Sequence, residues 1–121
     1  MMDMLSVTSR DFGDSRIFTL SGELDASTCQ GLLDQLQGPP GSSVIIDLSE
    51  LTFMDSSGLG AIHLARRLAV KDGGALVVCR PQPIVERVLQ LTGLDTWIAD
   101  WNPAWSDQPE GRASRQSALR S

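Results

Sequence analysis

Val44-Ile45-Ile46-Asp47-Leu48, followed a few residues later by Asp55-Ser56-Ser57-Gly58-Leu59-Gly60, is the stretch whose reading decides the fold. The first run is nearly all apolar, as a central strand covered on both faces is. The second opens an amphipathic segment that continues to about Val70. Together they read as a buried strand, a short turn, and a helix whose first turn carries exposed hydroxyls. A helix N-terminus offers unpaired backbone N–H groups and a partial positive charge, so it can host an anion. On alternation Asp47 shares a side with Ile45, and it is expected near the strand's end, where it can find partners.

Upstream, Leu5 to Arg10 alternates weakly, Asp11 to Ser15 reads as a turn, and Arg16 to Ser21 reads as a second strand, so the pair forms a hairpin. Gly22-Glu23-Leu24-Asp25 leads into a helix that Asp25 or Ser27 can cap. Cys29, Leu32, Leu33 and Leu36 fall on one stripe of that helix, and Gly38-Pro39-Pro40-Gly41 stops it. In the helix after Ser56, Leu59, Ile62, Ala65 and Ala69 lie on one side, with Ala61, Leu64 and Leu68 beside them. His63, Arg66, Arg67 and Lys71 take the rest of the circumference. Ala75 to Cys79 is another buried strand, and Pro83 is well placed to start a helix with Ile84, Val85, Val88, Leu89 and Leu91 on its apolar face. Thr96 to Ala99 reads as a short last strand. Two strands followed by helix–strand repeats specify an α/β domain, a sheet with helices packed on it.

The chain has 121 residues and a formal net charge of −5, with 41% hydrophobic and 21% charged residues. That is the composition of one ordinary globular domain. Arg112, Arg115 and Arg120 lie in a last decade without acids, so the preceding body holds 7 basic against 15 acidic residues. A phosphate-backbone binder needs a basic face, so nucleic acid is not an expected partner. No apolar run approaches the roughly 20 residues of a membrane span, and the start Met1-Met2-Asp3-Met4 has no signal-peptide pattern, so a cytoplasmic location is expected. Cys29 and Cys79 read as reduced thiols, and no ligand cluster suggests a metal. From Asn102 the composition turns polar. Residues 1–101 are expected to form the domain and 102–121 a C-terminal tail. Trp97, Trp101 and Trp105, spaced by four, either cover the last strand and the sheet edge or form an aromatic docking patch.

The serine turn has three readings. Ser and Asp are favoured helix caps, and a cap alone explains one helix-opening serine. Two adjacent serines, an acid before them and Gly58-Leu59-Gly60 after them exceed what a cap needs. A nucleophile needs a base, and His63 is the sole histidine. It lies seven residues after Ser56, roughly 10 Å along a helix axis, against a hydrogen-bond reach of about 3 Å. Gly-x-Ser-x-Gly and Gly-Lys-Ser/Thr are both absent, which removes the nucleophile elbow and the phosphate-binding loop. No catalytic residue and no cofactor are assigned. The third reading is a phosphorylation switch, since a phosphoserine adds about −1.5 to −2 charges on one hydroxyl.

The chain resembles the STAS-domain anti-sigma factor antagonists, also called anti-anti-sigma factors. The matching pieces are Leu20-Ser21-Gly22-Glu23-Leu24-Asp25, Val44 to Ser49, Leu51 to Gly60, Gly73 to Cys79, and Val85 to Leu94. The resemblance implies a mixed sheet with helices mainly on one face. It implies as partner an anti-sigma factor with serine-kinase activity and a histidine-kinase-like ATPase fold. Unphosphorylated antagonist binds it and frees a sigma factor, the kinase phosphorylates the serine after the aspartate, here Ser56, and a phosphatase reverses this. The antagonist is a binder and substrate, not an enzyme, and is expected to be a monomer when free. Asp25 and Asp55 would form an acidic rim, Ser57 would cap the helix, and Gly58 and Gly60 would keep the surface low. Leu59 would contact the partner or sit in the core. Family members usually carry a further amphipathic helix after the last strand, and Asp100–Ser121, with Pro103 and Pro109, departs from that pattern. The alternative is a STAS interaction module in a stressosome-like scaffold or a transporter accessory subunit, without phospho-switching.

Overall fold

Two strands, β1 (Leu5–Phe12) and β2 (Ser15–Leu24), pair antiparallel across the two-residue turn Gly13-Asp14. Gly13 takes φ 59°, the left-handed conformation such a tight turn requires. The structure, a computed structural model, describes residues 5–36 and 40–100. The expected hairpin is present, and both strands run longer than the sequence pattern indicates.

After β2 the chain makes a 3-10 turn (Cys29–Gly31) and a single turn of helix, α1 (Leu32–Gln35). A longer helix is expected from the apolar stripe. Asp25 caps the turn as expected: the Ser27 N–H donates to Asp25 Oδ1 (2.9 Å), the Asp25 N–H donates to Thr28 Oγ1 (2.9 Å), and the Asp25 carbonyl accepts from both the Thr28 N–H (3.1 Å) and the Cys29 N–H (2.9 Å). The backbone bonds from there are mixed three- and four-residue ones, so the segment tightens into a 3-10 turn before α1. Leu32 and Leu36 are nonetheless buried, so the stripe is right even where the helix is short.

Strand β3 (Ser43–Met54) runs parallel to β2, and β4 (Ala75–Cys79) runs parallel to β3, giving the order β1-β2-β3-β4. Helix α2 (Ser56–Lys71) connects β3 to β4, and α3 (Pro83–Leu91) follows β4 with Pro83 at its start, as expected. The last segment corrects the expectation. Leu94–Trp97 is a 3-10 turn, and Ile98 alone pairs, in parallel, with Val78. Trp97 turns into the helix-side core, where a regular strand over Thr96 to Ala99 would not put it. Trp101, Trp105 and the tail 102–121 lie outside the described residues.

Alternation divides the sheet. Phe18, Leu20, Val44, Ile46, Leu48, Leu76 and Val78 join the buried residues of α1, α2 and α3 in the main core. Ile17, Ile45 and Cys79 form a separate small cluster with Phe12 and Val77, which contains no helical residue. The described helices therefore pack on one face of a mixed sheet, as the resemblance implies. Asp47 belongs to the other face and is 2% exposed. It lies inside β3 rather than at its end, but on the last rung shared with β4, opposite Cys79. There Arg80 Nη2 donates to Asp47 Oδ2 (2.9 Å) and the Ser49 N–H donates to Oδ1 (3.0 Å), so the buried charge is fully engaged. Burial first, and then the Asp47 charge, push the Cys79 thiol up to about 12, which leaves it an inert core sulfur.

Candidate functional site

Strand β3 outruns β4 by seven residues, and over that extension it pairs with β2 alone, ending at Leu24 opposite Met54. The two strands stop together, which sets Asp25 beside Asp55. The Asp55 N–H donates to the Leu24 carbonyl (3.2 Å) and ties the two ends directly. Helix α2 starts at that point, with Asp55 as its N-cap in extended conformation.

Asp55 caps in the full sense. Its Oδ1 accepts from the Ser57 N–H (2.9 Å) and the Gly58 N–H (3.1 Å), and its carbonyl accepts from the Leu59 N–H (3.0 Å). Ser57, expected to be the cap, is a half-buried residue of the first turn. A carboxylate at this position satisfies two orphan donors and complements the helix dipole, which a hydroxyl one residue later cannot do. Ser56, the first helical residue, is exposed. Asp25 is engaged in its own turn. Its Oδ1 accepts from Ser27 Oγ (2.7 Å), and that bond, ahead of its backbone N–H bonds, holds its carboxyl below the usual carboxylate range.

The two glycines have different surroundings. Gly58 is buried, and a Cβ there would lie 2.5 Å from Leu24 Cγ and 2.7 Å from the Leu24 carbonyl oxygen. It lets α2 press onto the end of β2. Gly60 is exposed, and a Cβ there would meet nothing within 4 Å. It is Gly60 that keeps the outer surface low. Leu59 is 9% exposed and belongs to the core, yet it also lines the groove beside Ser56.

That groove, about 290 Å³, is bounded by Ser56, Leu59, Gly60, His63, Leu64 and Arg67 of α2 and by Leu94. Leu64, placed by periodicity beside the apolar face, is 42% exposed there, because the buried stripe of α2 narrows to Gly58, Leu59, Ala61, Ile62 and Ala65. The His63 ring stands edge-on to Trp97, with centroids 5.4 Å apart, and the Arg66 guanidinium lies 5.4 Å from the same ring. His63 is thus turned to an aromatic neighbour, not hydrogen-bonded to Ser56. Leu64, Arg67 and Leu94 were not singled out by sequence. The α2 residues were findable, since positions 60, 63, 64 and 67 continue the helical stripe that begins at Ser56. Leu94 was not, because its approach depends on how the turn after α3 packs. Among the described residues no group of His, Cys, Asp and Glu could hold a metal, and no helix is long and apolar enough to cross a membrane.

The chain matches the STAS domain family over residues 6–107. An anti-sigma F factor antagonist of Paenibacillus polymyxa is 39% identical over 82 residues, 64% of this chain and 70% of that one. An anti-sigma F factor antagonist of Lysinibacillus sphaericus is 30% identical over 89 residues, 69% of this chain and 75% of that one. The unphosphorylated form of the anti-sigma factor antagonist SpoIIAA superposes with a TM-score of 0.71 at 26% identity, covering 82% of this chain and 90% of the other. The phosphorylated form of the Bacillus protein gives 0.66 at 25% identity, covering 82% and 94%. With sheet order, helix placement and sequence in agreement over most of its length, the chain belongs to the STAS-domain family of anti-sigma factor antagonists.

Proposed function

We propose that the protein binds an anti-sigma factor with serine-kinase activity while Ser56 is unphosphorylated, that this releases a sigma factor, and that phosphorylation of Ser56 ends the interaction. The observation that carries the reading is the exposed Ser56 hydroxyl at the first position of α2, beside a groove and directly after the capping Asp55. An attacking hydroxyl must be reachable, and a rigid helix start presents it in one place. That SpoIIAA is known in both unphosphorylated and phosphorylated forms supports a phosphorylation switch on this fold. A phosphate added here puts about −1.5 to −2 charges next to two carboxylates, so an acidic or dry partner face is expelled. The kinase, of histidine-kinase-like ATPase fold, brings its own nucleotide, and a separate phosphatase restores the hydroxyl. Asp25, Asp55, Ser57, Leu59 and Gly60 surround the contact, and Gly58 supports it from beneath.

The test is phosphosite mapping in cells of the source organism, comparing wild type with Ser56→Ala. Phosphate on Ser56 and a loss of at least ~90% of total label in the alanine variant are expected. Label that persists at normal stoichiometry in Ser56→Ala contradicts the assignment.

A further inference from the structure

The first turn of α2 has four N–H groups to place. Asp55 gives its own to the Leu24 carbonyl, and Ser57 and Gly58 give theirs to the Asp55 carboxylate. Ser56 N–H is the one donor of that turn with no acceptor among the described residues. An open helix N-terminus draws a phosphate onto these donors and absorbs much of its charge. Here a carboxylate already holds the place.

We propose that Asp55 is a positioning residue of the switch: seated as the cap of α2, its carboxylate denies the helix N-terminus to a phosphate on Ser56, so the phosphate stays displayed toward the groove with its charge available to act on the partner. The inference rests on Ser56 being the phosphoacceptor. The other charges facing the phosphate fit the same picture. Asp25, from the turn after β2, adds repulsion. Arg67, the cation that lines the same groove, is rooted eleven residues along α2, a backbone rise of roughly 16 Å at 1.5 Å per residue. No lysine or arginine lies in the first two turns of α2.

Asn caps a helix about as well as Asp but carries no charge. Asp55→Asn therefore keeps α2 capped, but by a neutral amide oxygen that a phosphate dianion can displace from the Ser57 and Gly58 N–H groups. Phosphoserine is installed at position 56 by stop-codon suppression, in wild type and in Asp55→Asn, so no kinase is needed and the outcome is independent of whether Ser56 is the cellular site. The second ionisation of the phosphate, near pKa 6 in an ordinary phosphoserine, is followed by 31P NMR, and the backbone amides by 15N spectra. Removing one charge at roughly 6 Å under water-like screening lowers that pKa by about 0.5 unit, and capture by the helix lowers it further. The expected result is a drop clearly larger than that charge effect in Asp55→Asn. The Ser57 and Gly58 amides should respond to phosphate titration in the variant and stay still in wild type. A drop no larger than the charge effect, or Ser57 and Gly58 amides that follow the phosphate already in wild type, would overturn the proposal. Asp55→Ser, a shorter neutral cap, repeats the comparison if Asn disturbs the fold. A cap with a purely structural role would give the charge effect of about 0.5 unit alone and leave the Ser57 and Gly58 amides still in both proteins.

Discussion

Arg80 combines two features at one position. Its φ of 53° puts a side-chain-bearing residue in the left-handed region, directly before Pro81, and its guanidinium is the partner of the buried Asp47. The two effects separate by substitution. Arg80→Ala keeps the strained backbone and strands a buried carboxylate. Breaking a fully buried pair costs about 3–5 kcal/mol, but the Arg80 side chain is 40% exposed and water fills part of its role, so about 2–3 kcal/mol is expected. Arg80→Gly loses the same ion pair but relieves the backbone, and should be about 1 kcal/mol less destabilised than Arg80→Ala. Urea unfolding of the three proteins measures both differences. Equal stability of Ala and Gly variants would show that the conformation carries no strain. Asp47 itself was visible in the sequence as an interruption of an apolar run. Its partner was not, because Arg80 reaches it across 33 residues through strand register alone.

Helix α2 shows most clearly what periodicity reveals and what it leaves hidden. Its start, length and buried side followed from the Asp-Ser-Ser-Gly turn and the spacing of Leu59, Ile62 and Ala65. The difference between Gly58 and Gly60 did not, since both read as small residues on a turn. The structure predicts opposite outcomes for them. Gly58→Ala pushes a methyl into Leu24 and should cost about 1–3 kcal/mol, moving the helix start away from β2. Gly60→Ala meets open space in a helix interior and should stabilise the free protein by about 0.5–1 kcal/mol. Because Gly60 lines the groove beside Ser56, the same change should weaken partner binding. Thermal unfolding and a binding assay on the two variants check this. A stabilised Gly60→Ala that binds as well as wild type would move the contact away from the groove. The helix after Asp25 was over-read for a related reason: an apolar stripe marks which residues are buried, but it does not distinguish a regular helix from a capped turn that tightens into 3-10 geometry.

Across the molecule, hydrophobic alternation in β2 and β3 and the helix–strand repeats made the sheet and its one-sided helical cover legible. The packing around Trp97 was not, because a buried ring in a 3-10 turn leaves no period to read. The fold brings two strand ends and one helix start to a single point, and the proposed activity needs little else: a reachable hydroxyl, negative neighbours and a low surface. A net charge of −5 suits a protein that acts on another protein. The central claim is that one charge at Ser56 decides partner binding. The most direct measurement is paired capture from lysate of the source organism, with wild type and Ser56→Glu as baits and mass spectrometry as the readout. The account predicts a serine kinase of histidine-kinase-like fold, enriched on wild type and depleted at least severalfold on Ser56→Glu, with the depletion incomplete because Glu carries less charge than phosphate. A scaffold or transporter subunit recovered equally on both baits would contradict it.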